Sequence, residues 1–278
     1  MTTVMLLHPG AMGASIGSVL IQNGHTVLWV PEERSQTTKQ RAADAGLEES
    51  EFRTGLNRAD IIISVTPPGV AVSVAAAVAD EGFDGVYVDM NAVAPQSATQ
   101  MATLFPQFVD GGIVGPPAWE RGTTRLGLSG PRTTEVESLF AGSTIETIYL
   151  GPEIGKASAF KVGFAAWTKG SGALLLLVCA YARSQGVENE LFQEWERRGM
   201  GMETQTTTVA QQMGPKSWRF GDEMREISYA MEAAGLGTGL FKHAGATFDR
   251  LAHLKNATDQ PPTREEVIRD LLEGPPDL

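Results

Sequence analysis

The feature that most constrains the fold is a glycine-punctuated turn close to residue 1. The apolar run 4–7 leads into His8-Pro9-Gly10-Ala11-Met12-Gly13, and a helical pattern follows at once. A strand that turns through glycines into a helix presents backbone N–H groups and a positive helix end to an anion. The usual G-x-G-x-x-G pattern lacks its first glycine, because His8 stands there. The turn predicts a parallel α/β domain whose dinucleotide pyrophosphate would lie on Gly10, Ala11, Met12 and Gly13.

The rest of residues 1–151 alternates short aliphatic runs with helical stretches. We predict strands at 4–7, 26–30, 61–65 and 85–89, weaker strands at 108–110 and 125–128, and helices at 36–45, 70–79 and 96–104. This β-α-β rhythm is typical of an α/β fold with a doubly wound parallel, Rossmann-type sheet.

After Gly151 the pattern becomes helical, with almost no strand signal. Helices are predicted at 155–184, 188–198, 203–213, 217–234 and 238–255, and a short one near 263–272 is expected to be peripheral. The sequence therefore predicts a second, all-helical domain over residues 152–278.

Composition excludes some classes of function. The net charge of −11 argues against nucleic-acid binding, which needs a basic surface. Cys179 lies in an apolar run and is expected to be a buried structural thiol, and no histidine spacing suggests a metal site. The apolar stretch 163–182 contains Lys169 and small residues, so we expect a buried helix rather than a membrane span. No signal peptide is recognisable, and we expect a cytoplasmic protein.

Three further segments follow predicted strands. They are Val65-Thr66-Pro67-Pro68, Asp89-Met90-Asn91 through Pro95, and Asp110 through Pro117. The carboxyl ends of parallel strands meet at one edge of a sheet, where open α/β sheets bind their ligands. Thr66, Pro67 and Asn91 are therefore candidates to border the cofactor.

In these motifs the chain resembles the β-hydroxyacid dehydrogenase and 6-phosphogluconate dehydrogenase superfamily. The resemblance runs to about residue 183 and includes the stretch Gly155-Lys156-Ala157-Ser158-Ala159-Phe160-Lys161. Beyond it, the segments 165–170 and 218–227 resemble a divergent subgroup that has a distinctive helical C-terminal domain of poorly characterised function.

The resemblance implies that Lys161 is the general acid/base at the reacting carbon–oxygen bond. An ammonium in an apolar cleft can exchange a proton near neutral pH, because burial disfavours its charged form. If Lys161 does not act, Tyr181 or Tyr229 is the alternative proton donor. The resemblance also implies a homodimer in which the helical domains close each other's clefts, with Trp218 and Glu223 near the active site.

Two departures make the superfamily's usual substrates unexpected. Ala165 stands where the superfamily has a substrate-holding asparagine, and Val114 replaces the serine of the substrate loop that continues as Gly115-Pro116. Thr168 and Lys169 follow on the helix that carries Lys161, and they are candidates for replacement contacts.

The cofactor depends on the end of the second strand, which reads Pro31-Glu32-Glu33-Arg34-Ser35. An acidic residue there favours NAD, whereas an arginine with a hydroxyl residue favours the 2′-phosphate of NADP. Alignment by length places Glu32 at the position that contacts the ribose hydroxyls or the 2′-phosphate. A loop longer by two residues would place Arg34-Ser35 there instead, and we favour NADP. The expected activity is hydride transfer between NAD(P) and a small hydroxy or keto substrate bearing a carboxylate. The alternatives are reduction of a C=N bond and dinucleotide binding without catalysis.

Overall fold

The computed structural model describes residues 1–255, 257 and 260–274. The chain divides into two compact units, residues 1–163 and 164–278. This division falls within the long helix α7 (Lys156–Ser184), beyond the predicted boundary at Gly151, because the first turns of α7 pack on the sheet of the first unit.

The first unit is built on one eight-stranded sheet in the order β3-β2-β1-β4-β5-β6-β7-β8. The strands are β1 (Thr3–Leu7), β2 (Thr26–Trp29), β3 (Glu48–Glu49), β4 (Ile61–Ser64), β5 (Val86–Asp89), β6 (Phe108–Val114), β7 (Thr124–Ser129) and β8 (Ile145–Tyr149). Every neighbouring pair is parallel except β6 with β7. The order reverses at β1, where a doubly wound sheet opens a ligand crevice. The predicted fold class is confirmed.

Helices cover both faces of this sheet. They are α1 (Ala11–Gln22), α2 (Gln36–Asp44), α3 (Phe52–Arg58), α4 (Pro68–Asp80), α5 (Pro95–Ala102) and α6 (Thr133–Leu139). Val4 and Leu6 of β1 belong to one apolar cluster and Met5 and Leu7 to the other, and all four are fully buried or nearly so. Burial on both faces explains why β1 is a continuous apolar run.

The described residues of the second unit form helices joined by turns and loops, without strands. The rest of α7 is followed by α8 (Glu188–Arg197), α9 (Met202–Met213), α10 (Ser217–Ala233), α11 (Gly239–Arg250) and α12 (Arg264–Glu273), with short 3₁₀ turns at Gly214–Lys216 and Ala252–Leu254. Cys179 is buried in the core of this unit, as predicted. The expectation that α12 is peripheral was wrong, because Val267 and Ile268 are fully buried in the same core.

The helix α7 is only half-buried. By length and composition it is the one described helix apolar enough to cross a membrane. This is weak evidence for a membrane span, because the buried core helix of a soluble protein passes the same test. Half of the most apolar 18-residue window of α7 is buried. Its exposed apolar side chains lie along one side of the second unit: Phe164, Trp167, Leu174, Leu177 and Tyr181. The expected buried helix is therefore found with one apolar stripe uncovered.

Candidate active site

The predicted dinucleotide turn places the start of α1 at the carboxyl end of β1. Gly10 is the N-cap residue, with φ −65° and ψ −169°, and no side chain caps the helix. The first-turn N–H groups of Ala11, Met12 and Gly13 have no partner inside the helix, because the first bond of α1 runs from Ala14 N–H to the Gly10 carbonyl (2.8 Å). This end of α1 has the donors and the dipole that an anion needs.

The two glycines of this turn differ in their surroundings. A Cβ added at Gly13 would overlap the His8 carbonyl oxygen and lie 3.2 Å from its carbon, whereas a Cβ added at Gly10 would meet nothing within 4 Å. Gly13 is therefore required by the protein's own packing. The open space beside Gly10 is where a ligand could approach the backbone.

A cavity of about 320 Å³ lies beside this turn. The ends of β1 and β2, together with α3 and α4, form its walls, which are lined by Leu7, His8, Val30, Glu32, Glu33, Arg34, Phe52, Val74 and Ala77. Its apolar walls suit an adenine ring, and its charged rim lies at the position that reads the adjoining ribose.

The loop after β2 brings Arg34 to this cavity. The N–H of Arg34 donates to the Pro31 carbonyl (3.3 Å), and Glu33 adopts a left-handed conformation with φ 58°. Ser35 is the N-cap of α2, and its hydroxyl accepts from the Thr38 N–H at 3.2 Å. Arg34 and Glu32 thus both line the cavity, while Ser35 is engaged in capping.

Of the buried polar side-chain atoms that have no hydrogen-bond partner within the described part of the chain, three belong to segments that follow β1, β2 and β4. They are His8 Nδ1, Arg34 Nε and Thr66 Oγ1. Burial, followed by the charge of Arg34, lowers the pKa of His8 to about 4, so its imidazole is neutral at pH 7. His8 and Arg34 line the cavity. Because buried polar groups are normally paired, their unpartnered atoms fit a polar ligand such as the ribose and phosphates of a dinucleotide.

Asn91 is held in a buried network between β4 and β5. Its side-chain oxygen accepts from the Thr66 N–H, and its amide group donates to the Ser64 hydroxyl (3.0 Å) and to Asp89. Both ends of the amide are therefore engaged within the protein. Asn91 fixes the Thr66-Pro67 turn that leads into α4.

Lys161 is partly buried on α7, close to the end of the first unit. Strand β6 determines its position. A Cβ added at Gly112 of β6 would lie 3.1 Å from the Lys161 Cβ, so α7 passes directly over this glycine. The close approach requires glycine and places the lysine at the sheet.

A buried carboxylate anchors the start of α7. Asp110 Oδ2 accepts from the N–H groups of Gly155 (2.9 Å) and Ser158 (3.0 Å) and from the Ser129 hydroxyl (3.0 Å), and Oδ1 accepts from the Ser158 hydroxyl (2.6 Å). The negative charge lies at the positive end of the helix. Asp110, Ser129 and Ser158 were not among the predicted site residues, although the motifs that contain Asp110 and Ser158 were recognised.

Gly115 and Pro116 lie at the start of the exposed connection from β6 to β7. Gly115 has φ 124°, and a Cβ there would lie 2.9 Å from the Thr124 Cα. The Pro116 carbonyl accepts from the Thr124 hydroxyl at 2.6 Å. The turn geometry alone accounts for the glycine.

The second unit brings together two of the predicted substrate residues. Lys169 Nζ lies 2.6 Å from Glu223 Oε2, and both side chains are largely buried. Trp218 is exposed, with Lys255 Nζ 4.3 Å from its ring centre, and the Thr168 hydroxyl donates to the Phe164 carbonyl at 3.0 Å. Lys169 and Glu223 thus form a pair, while Thr168 is bonded to its own helix.

No group of three or more His, Cys, Asp or Glu that could hold a metal occurs among the described residues. His243 and His253 contact backbone carbonyls of their own helical segments, and His253 also bonds Asp270 (2.9 Å).

Comparison with known proteins agrees with this architecture. Residues 182–251 match the family model "Domain of unknown function (DUF1932)". An uncharacterised 28.5 kDa protein of Methanothermus fervidus is 29% identical over 164 residues, a match that covers 58% of this chain and 63% of the relative. The match thus spans less than two thirds of that relative's length.

Experimental structures with the same fold include enzymes. One is the conserved protein MTH1747 of unknown function, which is described as structurally similar to 3-hydroxyacid dehydrogenases. Its TM-score is 0.65 at 24% sequence identity, and the match covers 91% of this chain and 98% of that one. The 3-hydroxyisobutyrate dehydrogenase of Salmonella typhimurium has a TM-score of 0.66 at 14% sequence identity, and the match covers 97% of this chain and 99% of that one. The reductive aminase of Aspergillus terreus, in complex with NADPH4, has a TM-score of 0.56 at 17% sequence identity, and the match covers 96% of this chain and 98% of that one. The chain has the 3-hydroxyacid dehydrogenase-like fold, and the predicted resemblance is confirmed at that level.

Proposed function

We propose that the protein is an NAD(P)-dependent oxidoreductase that transfers hydride between the nicotinamide and a small hydroxy or keto substrate bearing a carboxylate. The observation that carries the proposal is the group of unpartnered buried atoms, His8 Nδ1, Arg34 Nε and Thr66 Oγ1, at the edge where α1 begins. The fold shared with 3-hydroxyisobutyrate dehydrogenase and a reductive aminase supports it.

The residues of the first unit divide the binding of a dinucleotide between them. The N–H groups of Ala11, Met12 and Gly13 would hold the pyrophosphate, with Gly10 leaving room for it. The Thr66-Pro67 turn, fixed by Asn91, would border the nicotinamide. Bound there, the nicotinamide supplies or accepts the hydride.

We propose NADP as the preferred form. Arg34 offers a buried, unpartnered Nε at the cavity, and a guanidinium suits a 2′-phosphate. Glu32 and Glu33 line the same cavity and would favour the 2′-hydroxyl of NAD. Fluorescence titrations with NADPH and NADH therefore test the preference directly.

Lys161 is proposed to exchange the proton at the substrate oxygen. The Asp110 anchor and the close approach of Gly112 hold its backbone at the sheet. As general acid, the ammonium would donate to the oxygen while the carbonyl is reduced, and the neutral amine would take the proton back in oxidation.

The experiment screens hydroxy acids, keto acids and imines at fixed cofactor, with wild type and Lys161→Ala. We expect Lys161→Ala to lose turnover while keeping its Kd for NADPH. Lys156→Ala is the matched control, because Lys156 is on the same helix but exposed and paired with Glu153 (3.1 Å). Full activity of Lys161→Ala would refute the role of the lysine, and absence of NADPH and NADH binding would refute the whole proposal.

The working form is proposed to be a homodimer joined through the helical unit. The exposed apolar stripe of α7 supports this, since side chains such as Trp167 (76% exposed) are enriched at interfaces. Light scattering should give a dimer for wild type and a monomer for Trp167→Glu. A wild-type monomer with full activity would contradict a site shared between subunits.

A further inference from the structure

The backbone of His8 is fixed where β1 ends. Its N–H donates to the Val65 carbonyl (3.4 Å), and its own carbonyl accepts from the Gly10 N–H (2.9 Å). The same carbonyl group packs against Gly13, where an added Cβ would lie 3.2 Å from the carbonyl carbon. The residue that replaces the first glycine of the usual pattern is therefore held between the end of β4 and the start of α1, and its side chain lines the cavity of about 320 Å³.

His8 shares this cavity with Arg34, and each residue has a buried nitrogen that lacks a partner. Neither His8 Nδ1 nor Arg34 Nε makes a hydrogen bond within the residues that the structure describes. The guanidinium is always charged, and its N–H groups can only donate. Glu32 and Glu33 also line the cavity, but both are exposed. The unsatisfied groups of the cavity thus belong to a cation and an imidazole, which suits an anionic ligand.

The charges around His8 determine the form of its imidazole. Glu32, Glu33 and Arg34 are the charged residues that line the cavity, and α3 and α4 contribute only apolar side chains to it. Burial, and then the charge of Arg34, lower the pKa of His8 to about 4, so the ring is neutral at pH 7. A neutral imidazole has one donor and one acceptor nitrogen, and a phosphate oxygen needs the donor.

We propose that His8 Nδ1 and Arg34 Nε bind the same phosphate group, the 2′-phosphate of NADP. A phosphate dianion offers the acceptors that both nitrogens lack, and its charge compensates the buried guanidinium. The inference rests on the proposed function, which calls for a dinucleotide in this crevice. It gives the residue at the first-glycine position a part in choosing between NADP and NAD, which a glycine without a side chain cannot have.

The experiment is calorimetric titration of the full, cofactor-free chain with adenosine 2′,5′-bisphosphate, adenosine 5′-monophosphate and inorganic phosphate. The variants are His8→Leu and His8→Asn, because both side chains branch at Cγ as the imidazole does. Asparagine keeps an N–H donor at the position of Nδ1, whereas leucine places a methyl group there. His25→Leu is the matched control, since His25 is in the same unit but precedes β2, and its Nδ1 accepts from the Thr2 N–H at 3.4 Å.

We expect His8→Leu to bind the bisphosphate about tenfold more weakly, through loss of one charge-assisted hydrogen bond, and to bind the monophosphate as wild type does. His8→Asn should stay within about threefold of wild type, because a donor remains. His25→Leu should match wild type. The proposal is overturned if His8→Leu keeps its affinity for the bisphosphate, if it loses both nucleotides equally, if His8→Asn loses as much as His8→Leu, or if inorganic phosphate binds as tightly as the bisphosphate.

The imidazole itself gives a second readout. The chain has four histidines, so the nitrogen NMR signals of His8 can be identified from their loss in His8→Leu. In the complex with the bisphosphate, Nδ1 should have the chemical shift of a nitrogen that carries a proton. An unprotonated Nδ1 in that complex overturns the proposal, because such a nitrogen cannot donate to phosphate.

Titration of the same preparations with NADPH and NADH separates this inference from the proposed function. If the cofactors bind and His8→Leu leaves the ratio of the two Kd values unchanged, only the assignment of His8 is refuted. If the bisphosphate binds through His8 but neither nicotinamide cofactor binds, the phosphate site is supported and the oxidoreductase is refuted.

Discussion

Replacing each glycine of the first turn by alanine should separate the needs of the fold from those of the cofactor. At Gly10 the backbone has φ −65°, which alanine adopts freely, and the new methyl meets nothing within 4 Å. Removing a glycine at such a position stabilises a protein by about 0.4–1 kcal/mol, by reducing the entropy of the unfolded chain. Alanine is less favourable than glycine at an N-cap, which offsets this gain. Gly10→Ala should therefore fold about as well as wild type.

The same methyl occupies the space through which a pyrophosphate would approach the N–H groups of α1. Loss of one charge-assisted hydrogen bond of about 1.5–3 kcal/mol corresponds to a Kd for NADPH about ten- to a hundredfold higher. Gly10→Ala should thus combine normal stability with weak cofactor binding.

Gly13→Ala should behave in the opposite way. Its methyl would overlap the His8 carbonyl oxygen, a backbone atom that cannot rotate away. Overpacking costs about 1–3 kcal/mol, or more where backbone must shift, and the better helix propensity of alanine returns at most about 1 kcal/mol. We expect a net loss near 2 kcal/mol, seen as a melting temperature lower by about 5 °C.

Thermal melting and NADPH titration of both variants decide the matter. Gly239→Ala is the control, because Gly239 also begins a helix and its added methyl would meet nothing within 4 Å. It should leave NADPH binding unchanged. Wild-type affinity of Gly10→Ala would refute the pyrophosphate site, and wild-type stability of Gly13→Ala would refute the packing argument.

Three further predictions concern the same unit. Asp110→Asn replaces a carboxylate that accepts four hydrogen bonds by an amide whose NH₂ group must face N–H or O–H donors. Urea unfolding should therefore show a free energy of unfolding lower by about 3 kcal/mol. Unchanged stability would count against the role of Asp110 as an anchor. The pKa of His8 is about 4 when folded and 6.5 when unfolded, so the unfolded chain binds the extra proton between these values. Stability should therefore fall by about 1.4 kcal/mol per pH unit as pH drops from about 6.5 to 4, and His8→Gln should remove that part of the slope in urea titrations at several pH values. Arg34→Gln should raise the Kd of NADPH about tenfold and leave that of NADH nearly unchanged; equal losses for both would show that Arg34 does not read the 2′-phosphate.

Six of the eight strands were predicted from sequence, and only β3 and β8 were not. The residues of β1 and β4 form continuous apolar runs because helices cover both sides. The edge strand β8 reads Ile-Glu-Thr-Ile-Tyr, which neither alternates nor forms a continuous apolar run, and it is partly exposed. Strand β3 is only two glutamates paired through their backbone, so neither strand has a strong sequence signal. The helix α12 was expected to be peripheral, yet its apolar face packs into the core.

The candidate site was predictable where one segment builds it and not where distant segments meet. The turn from His8 to Gly13 is contiguous, so its glycines can be recognised from their spacing. The Asp110 anchor joins residues up to 48 positions apart, and the Lys169–Glu223 pair joins two helices, so no local pattern shows either. Pairing of this kind depends on tertiary packing, which spacing along one element does not reveal.

The unpartnered atoms at the sheet edge link the stability of the first unit to its proposed ligand. His8 Nδ1, Arg34 Nε and Thr66 Oγ1 each lose water on folding without gaining a protein partner, at a cost of about 1–3 kcal/mol per atom. A core under selection for stability alone would be better served by apolar groups of the same shape, since removing both partners of a hydrogen bond can be nearly neutral. A ligand that supplies hydrogen-bond acceptors and donors there satisfies these atoms only when it is bound. The ligand-free chain is therefore less stable, and binding of the ligand to the folded state raises the free energy of unfolding. The groups that weaken the fold at this edge are thus the ones that suit it to the proposed dinucleotide.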